Sequence, residues 1–224
     1  MALELHHIAV RENLVPILYF LKQTKKRVKL VKHNSLGAFK THIESLPASS
    51  RPLMASPPFL KQGKKAINSC FGIMILIAKH EELAQYIPEM TQFTSFLMMK
   101  NTLVSMSNAV VDVVHNSEDR EDMIERYQDW LGRDLIKLEG INGLLEEKKW
   151  ILGDNLSVLD FYLAEFLEKV LKMERDFNLD IITQFGHFSA YLSRVFKLEG
   201  IAEARNEEGF EEMPFFEPSL SLWN

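Results

Sequence analysis

The sequence predicts a two-part fold: an α/β unit over residues 1–82 and an all-α unit over residues 90–205, followed by a tail over residues 206–224. Three observations predict it. Strand-like segments alternate with helical periods only before residue 80; beyond Pro88 the apolar period is helical throughout. The charge changes sign at the same place. Residues 1–80 hold 13 Lys+Arg and 3 Asp+Glu, leaving 13 of the 26 basic and 28 of the 31 acidic residues for the rest, so the two parts stand near +10 and −15.

LELHHIA, from Leu3 to Ala9, is short and mostly apolar and reads as a strand. In RENLVPILYFLKQT the apolar positions Leu14, Ile17, Leu18 and Leu21 follow a helical period. KKRVKLVKH sets Val28, Leu30 and Val31 among lysines, a second strand with one polar face. A helix crossing between two such strands implies a parallel βαβ unit. Residues 44–58, with Pro47, Pro52, Pro57 and Pro58, read as loop. FLK and KKAI flank Gln62-Gly63, which suits a two-residue hairpin turn because glycine accepts a positive φ. Asn68 or Ser69 then caps a helix running to about His80.

In the second part, Phe96, Leu103 and Val110 recur every seven residues with Leu97, Val104 and Val111 beside them, the stripe of a long helix with one buried face. Another starts near Ser117, its apolar face carrying Met123, Tyr127, Trp130, Leu131, Leu135 and Leu138. The acids Glu118, Asp119, Glu121 and Asp122 crowd its N-terminal end, where the helix dipole favours them. Further helices are expected over 157–173, 180–197 and 199–205.

Composition excludes several classes. With 46% apolar and 25% charged residues, the chain is neither disordered nor collagenous, and its one cysteine, Cys70, cannot form an internal disulfide. No apolar run reaches the roughly 18 residues that span a bilayer. MALELHHIAV reads as a strand and not as a detachable leader, so the expectation is a soluble protein, cytoplasmic by default, with a mitochondrial interior permitted. KKRVKLVK alternates as a strand with no recognition module around it, so no nucleic-acid partner is expected. No metal site is read either. His6 and His7 are adjacent in a strand and face opposite ways, and His33, His42, His80, His115 and His187 lack zinc-site spacing.

Three segments carry a resemblance to a known family. WILGDNLSVLDF, residues 150–161, places Gly153 four residues before Ser157 and Asp160 three after it, a turn followed by a capped helix. AINSCFGIMILIAKH, residues 66–80, is a strand running into a helix across Asn68-Ser69. LHHIAVRENLVPILYFL, residues 5–21, is similar to the strand-loop-helix pattern LxYFxxRGxxxxIRxLL. On these the chain resembles the cytosolic glutathione transferases, of mu- or sigma-like type, along nearly its whole length. The resemblance implies a thioredoxin-like N-terminal domain and a transferase-type helical C-terminal domain. MPFFEPSLSLWN is similar to the Pro- and aromatic-rich tail of mu-like members, which implies that residues 206–224 pack back on the body and anchor the terminus.

The resemblance also implies a glutathione site. Asn68 and Ser69 stand where that family presents a hydroxyl and an amide to the γ-glutamyl carboxylate, at a helix N-terminus that favours anions. Pro58 is the favoured counterpart of the family's cis-proline, with Pro52 the other choice. His7 takes the position of the tyrosine that donates to the glutathione thiolate. Glu12 replaces a glycine and Leu18 an arginine, while Phe39 and Ile43 stand in place of an indole and a lysine. The donor set is depleted where the chemistry lies. Two readings follow: a transferase-like protein that has lost its donor and serves as a binding or structural component of an assembly, or an active transferase that uses His7 to conjugate glutathione to electrophiles. Either is expected as a homodimer or a subunit of a larger assembly.

Overall fold

The computed structural model describes residues 3–54 and 56–223; the strand reading of Met1 and Ala2 and the terminal Asn224 of the tail lie outside the described residues. The chain divides into two compact units, residues 1–84 with 198–217, and residues 85–197 with 218–224.

The first unit is built on a four-stranded sheet in the order β2-β1-β3-β4. β1 (Leu3–Ile8) pairs parallel to β2 (Lys29–His33) and antiparallel to β3 (Phe59–Gln62), which forms a hairpin with β4 (Lys65–Ile67). The crossover between the parallel strands is α1 (Val15–Gln23), with Pro16 in its first turn, where a missing N–H costs nothing. Gln62 pairs with Lys65, so the two-residue turn is Gly63-Lys64, one residue later than the sequence suggests, with Gly63 at φ +60°.

Between Leu36 and Ser45 lies α2, a helix within and before the stretch read as loop; the Ser35 hydroxyl accepts from the Ala38 amide at its start. Its inward residues Phe39 and Ile43 join Ile8, Val10 and Phe59 in an apolar cluster on one face of the sheet. By strand alternation His6 shares that face, while Leu5 and His7 take the other. The helix α3 (Cys70–His80) and α1 pack together, and α8 (Glu199–Arg205) lies against α1.

The second unit is helical. Short 3₁₀ turns at Ala84–Tyr86 and Met90–Gln92 lead to α4 (Phe93–Asn116), α5 (Arg120–Glu147), α6 (Val158–Phe177) and α7 (Gly186–Phe196). α5 begins at its Asp119 cap, whose carboxylate accepts from the Glu121 and Asp122 amides, and α7 starts later than expected because residues 179–185 are committed to a turn. The Glu174 carboxylate holds that turn by accepting from the amides of Ile181, Ile182 and Thr183 at 3.1, 2.7 and 3.1 Å. α6 packs against α4 and α7 and is buried nearly all round. Before it, Trp150 and Gly153 exchange both backbone hydrogen bonds in a tight turn that needs glycine, since Gly153 sits at φ +138°. Asp160 then accepts from the Ser157 amide and hydroxyl, both at 2.8 Å, and from the Ile151 amide at 2.9 Å. Among the described residues no helix is long and apolar enough to cross a membrane.

Candidate functional site

Strand register gathers the four expected site residues at one end of the sheet. His6 pairs with Phe59, which sets His7 opposite Pro58; Leu60 pairs with Ile67, which sets Asn68 and Ser69 beside the start of β3. The Pro57–Pro58 peptide bond is cis. Ser69 is the N-cap of α3, its hydroxyl oxygen accepting from the Gly72 amide at 3.3 Å, and its own proton remains available to a ligand. Gly72 fits because a Cβ there would lie 3.1 Å from Ile67 and 3.2 Å from the Ser69 Cβ.

Asn68 is bonded to the loop before β3. Its side-chain amide donates to the Met54 carbonyl at 2.9 Å and the Ser56 hydroxyl at 3.3 Å, so it fastens the preceding loop. His7 is buried, with Nδ1 3.1 Å from the Ile8 carbonyl oxygen. A carbonyl only accepts, so Nδ1 carries the proton and Nε2 of the neutral ring is a bare acceptor. Burial holds the ring below the usual histidine pKa, against the opposing pull of the Ile8 carbonyl, and Lys32 adds to the depression. Phe39 and Ile43 point into the apolar cluster and offer no donors.

The loop after β1 is occupied by the chain itself. The amides of Arg11 and Glu12 donate to the carbonyls of Pro214 and Phe215 at 2.8 and 3.2 Å. The buried Arg11 guanidinium lies 4.1 Å from the Phe215 ring centroid and 5.1 Å from that of Phe210. Such stacking uses the cation as packing material.

A second gathering of titratable groups escapes sequence reasoning. On the α2 face of the sheet, His6 from β1, His33 from β2 and His42 from α2 bring one ring nitrogen each within 4.8 Å of one another. His6 Nδ1 and His33 Nε2 are 3.2 Å apart. The ring centroids of His6 and His42 lie 4.8 Å apart, those of His33 and His42 4.9 Å, and Phe59 stacks on His6 at 4.5 Å. Burial, reinforced by His42 and His33, pushes His6 down to about 4, so its ring is neutral at pH 7. Only the fold could have found this group, because three elements supply it.

Comparison with known proteins finds one partial family match and a structural likeness. Residues 106–208 match the family model described as glutathione S-transferase, C-terminal domain. Among solved structures, the crystal structure of the glutathione S-transferase Blo t 8 superposes with a TM-score of 0.82 over 99% of this chain and 100% of that one, at 17% identity. No curated protein sequence matches. At that identity the structural likeness speaks for the fold.

Proposed function

With the glutathione S-transferase fold and that family's C-terminal domain over residues 106–208 as premise, we propose that this chain is a catalytically degenerate transferase-like protein that serves as a binding or structural component of an assembly. The observation that carries this reading is the bond of His7 Nδ1 to the Ile8 carbonyl. Stabilising a thiolate takes a donor aimed at sulfur. His7 has one N–H and it is spent; a second requires a cationic ring, which burial opposes.

The other ends of a bound glutathione divide. Ser69, with a free hydroxyl proton at the start of α3, suits the γ-glutamyl carboxylate. Asn68 is engaged with its own loop, and Phe39 and Ile43 supply nothing to a glycyl carboxylate. The residues present therefore fit one end of the tripeptide and not its thiol.

The protein is expected to elute from immobilised glutathione with little retention and to turn over a generic electrophilic aromatic substrate at background rate. His7→Ala should leave that rate unchanged. Turnover above background that disappears in His7→Ala overturns the reading and installs His7 as the thiolate donor of an active transferase. As partner we infer a second copy of this chain. Exposed Met90, Phe93, Leu97 and Met98 at and before the start of α4 support an apolar contact of that kind.

A further inference from the structure

We propose that His6, His33 and His42 form a binding site for one divalent transition-metal ion of zinc type, which ties α2 to strands β1 and β2. Three facts of geometry carry it. In a tetrahedral site with metal–nitrogen bonds of about 2.05 Å, ligand nitrogens stand about 3.3 Å apart, and His6 Nδ1 and His33 Nε2 are already 3.2 Å apart. The third nitrogen, from His42, belongs to a set within 4.8 Å, so closing the site takes a swing of about 1.5 Å at one side chain. The metal-free arrangement leaves a polar atom unsatisfied: among the described residues, Nε2 of His42 is buried with no hydrogen-bond partner. An imidazole nitrogen buried without a partner costs stability that an ion can recover.

The surroundings suit such an ion. Glu4 Oε2 lies 3.7 Å from His6 Nε2, on the far side of the ring from His33. A carboxylate there favours the proton on Nε2 and leaves Nδ1 bare for the metal, the arrangement by which metal-bound histidines are commonly oriented. Glu4 also pairs with Lys29 at 2.7 Å, so its position is fixed from a second side. Phe59 and Phe39 wall the site with aromatic rings, while His33 and His42 are each half-buried and give an ion a way in. An all-imidazole donor set selects zinc, copper, nickel or cobalt over magnesium or calcium, which require oxygen.

The test uses the full chain after treatment with a chelator. Titration calorimetry with zinc chloride, and the visible absorption of Co²⁺ as a geometric probe, should give one equivalent bound per chain with a tetrahedral cobalt spectrum. His33→Ala and His42→Ala, both at half-exposed positions, should each weaken binding at least 100-fold while the far-ultraviolet dichroism stays that of the parent. His187→Ala, far along the sequence in α7, should bind as the parent does. No saturable binding by the parent chain, or binding unchanged in His33→Ala and His42→Ala, overturns the proposal. If both variants lose their dichroism, His42→Gln, which keeps size and polarity on α2, decides by the same criterion.

Discussion

Cys70 follows directly on the Ser69 cap of α3, a position where a helix N-terminus can lower a thiol's pKa. Burial prevails: the side chain is 6% exposed and desolvation pushes the thiol far above its usual range. Ellman's reagent should therefore leave Cys70 untouched in the native chain and label it stoichiometrically after unfolding; rapid labelling without denaturant would show that the thiol is open. Asp160 shows the opposite case, a buried charge kept for its bonds. Burial raises its pKa, and four donors from Ile151, Ser157 and Tyr191 work against that. Asp160→Ala strands these donors and should cost about 3–5 kcal/mol in urea unfolding. Asp160→Asn keeps one acceptor and removes the buried charge, so its cost should be about 1–3 kcal/mol. Equal losses would mean that packing, and not the acceptor set, is what Asp160 supplies. Asp160 and Ser157 were legible in the sequence because a local motif of four residues contains the bonding pair. His6, His33 and His42 were not, because gaps of 27 and 9 residues carry no ligand pattern until β1, β2 and α2 converge.

Elements were legible in proportion to their apolar stripe. α4, α5 and α6 run for 24, 28 and 20 residues, and their periodicity survives any local exception. α2 has ten residues and only Phe39 and Ile43 buried, and the prolines that follow it mask its end. The signal was Ser35 three residues before Ala38, followed by two apolar residues four apart. α8, by contrast, is fixed by one glycine. A Cβ on Gly200 would lie 2.4 Å from the Gln23 amide nitrogen, 2.5 Å from the Gln23 Cα and 2.5 Å from the Lys22 carbonyl carbon, all backbone that cannot swing aside. The same approach lets the Gly200 amide donate to the Gln23 side chain at 3.2 Å. Gly200→Ala gains about 1 kcal/mol of helix propensity, yet it forces α1 and α8 apart. The net loss expected in thermal or urea unfolding is about 2–3 kcal/mol; a variant as stable as the parent would show that the two helices can separate freely.

At the scale of the whole chain, the charge split read from the sequence is reduced by folding. α8 and the following residues carry seven acids between Glu199 and Glu217, and they belong to the first unit, whose strands and helices are basic. Lys22 pairs with Glu203 and Glu207, Lys25 with Glu199, and Arg205 with Glu211. With them included, the first unit holds 14 basic and 12 acidic residues, near +2, and the second holds 12 and 19, near −7. The sequence alone suggested +10 against −15, and a homodimer joined by that contrast would weaken steeply with salt. The folded distribution leaves little of it, and exposed pairs each contribute at most about 1 kcal/mol. Association through apolar surface is screened hardly at all, whereas charge attraction falls off beyond about 8 Å at physiological ionic strength. Sedimentation across 50–500 mM salt should then give a dimer dissociation constant that changes by less than about threefold. A rise of a hundredfold would return the contact to the lysines around Lys25 and Lys32 and to an acidic partner surface. A chain that is monomeric at every salt concentration would remove the homodimer and point to a foreign subunit.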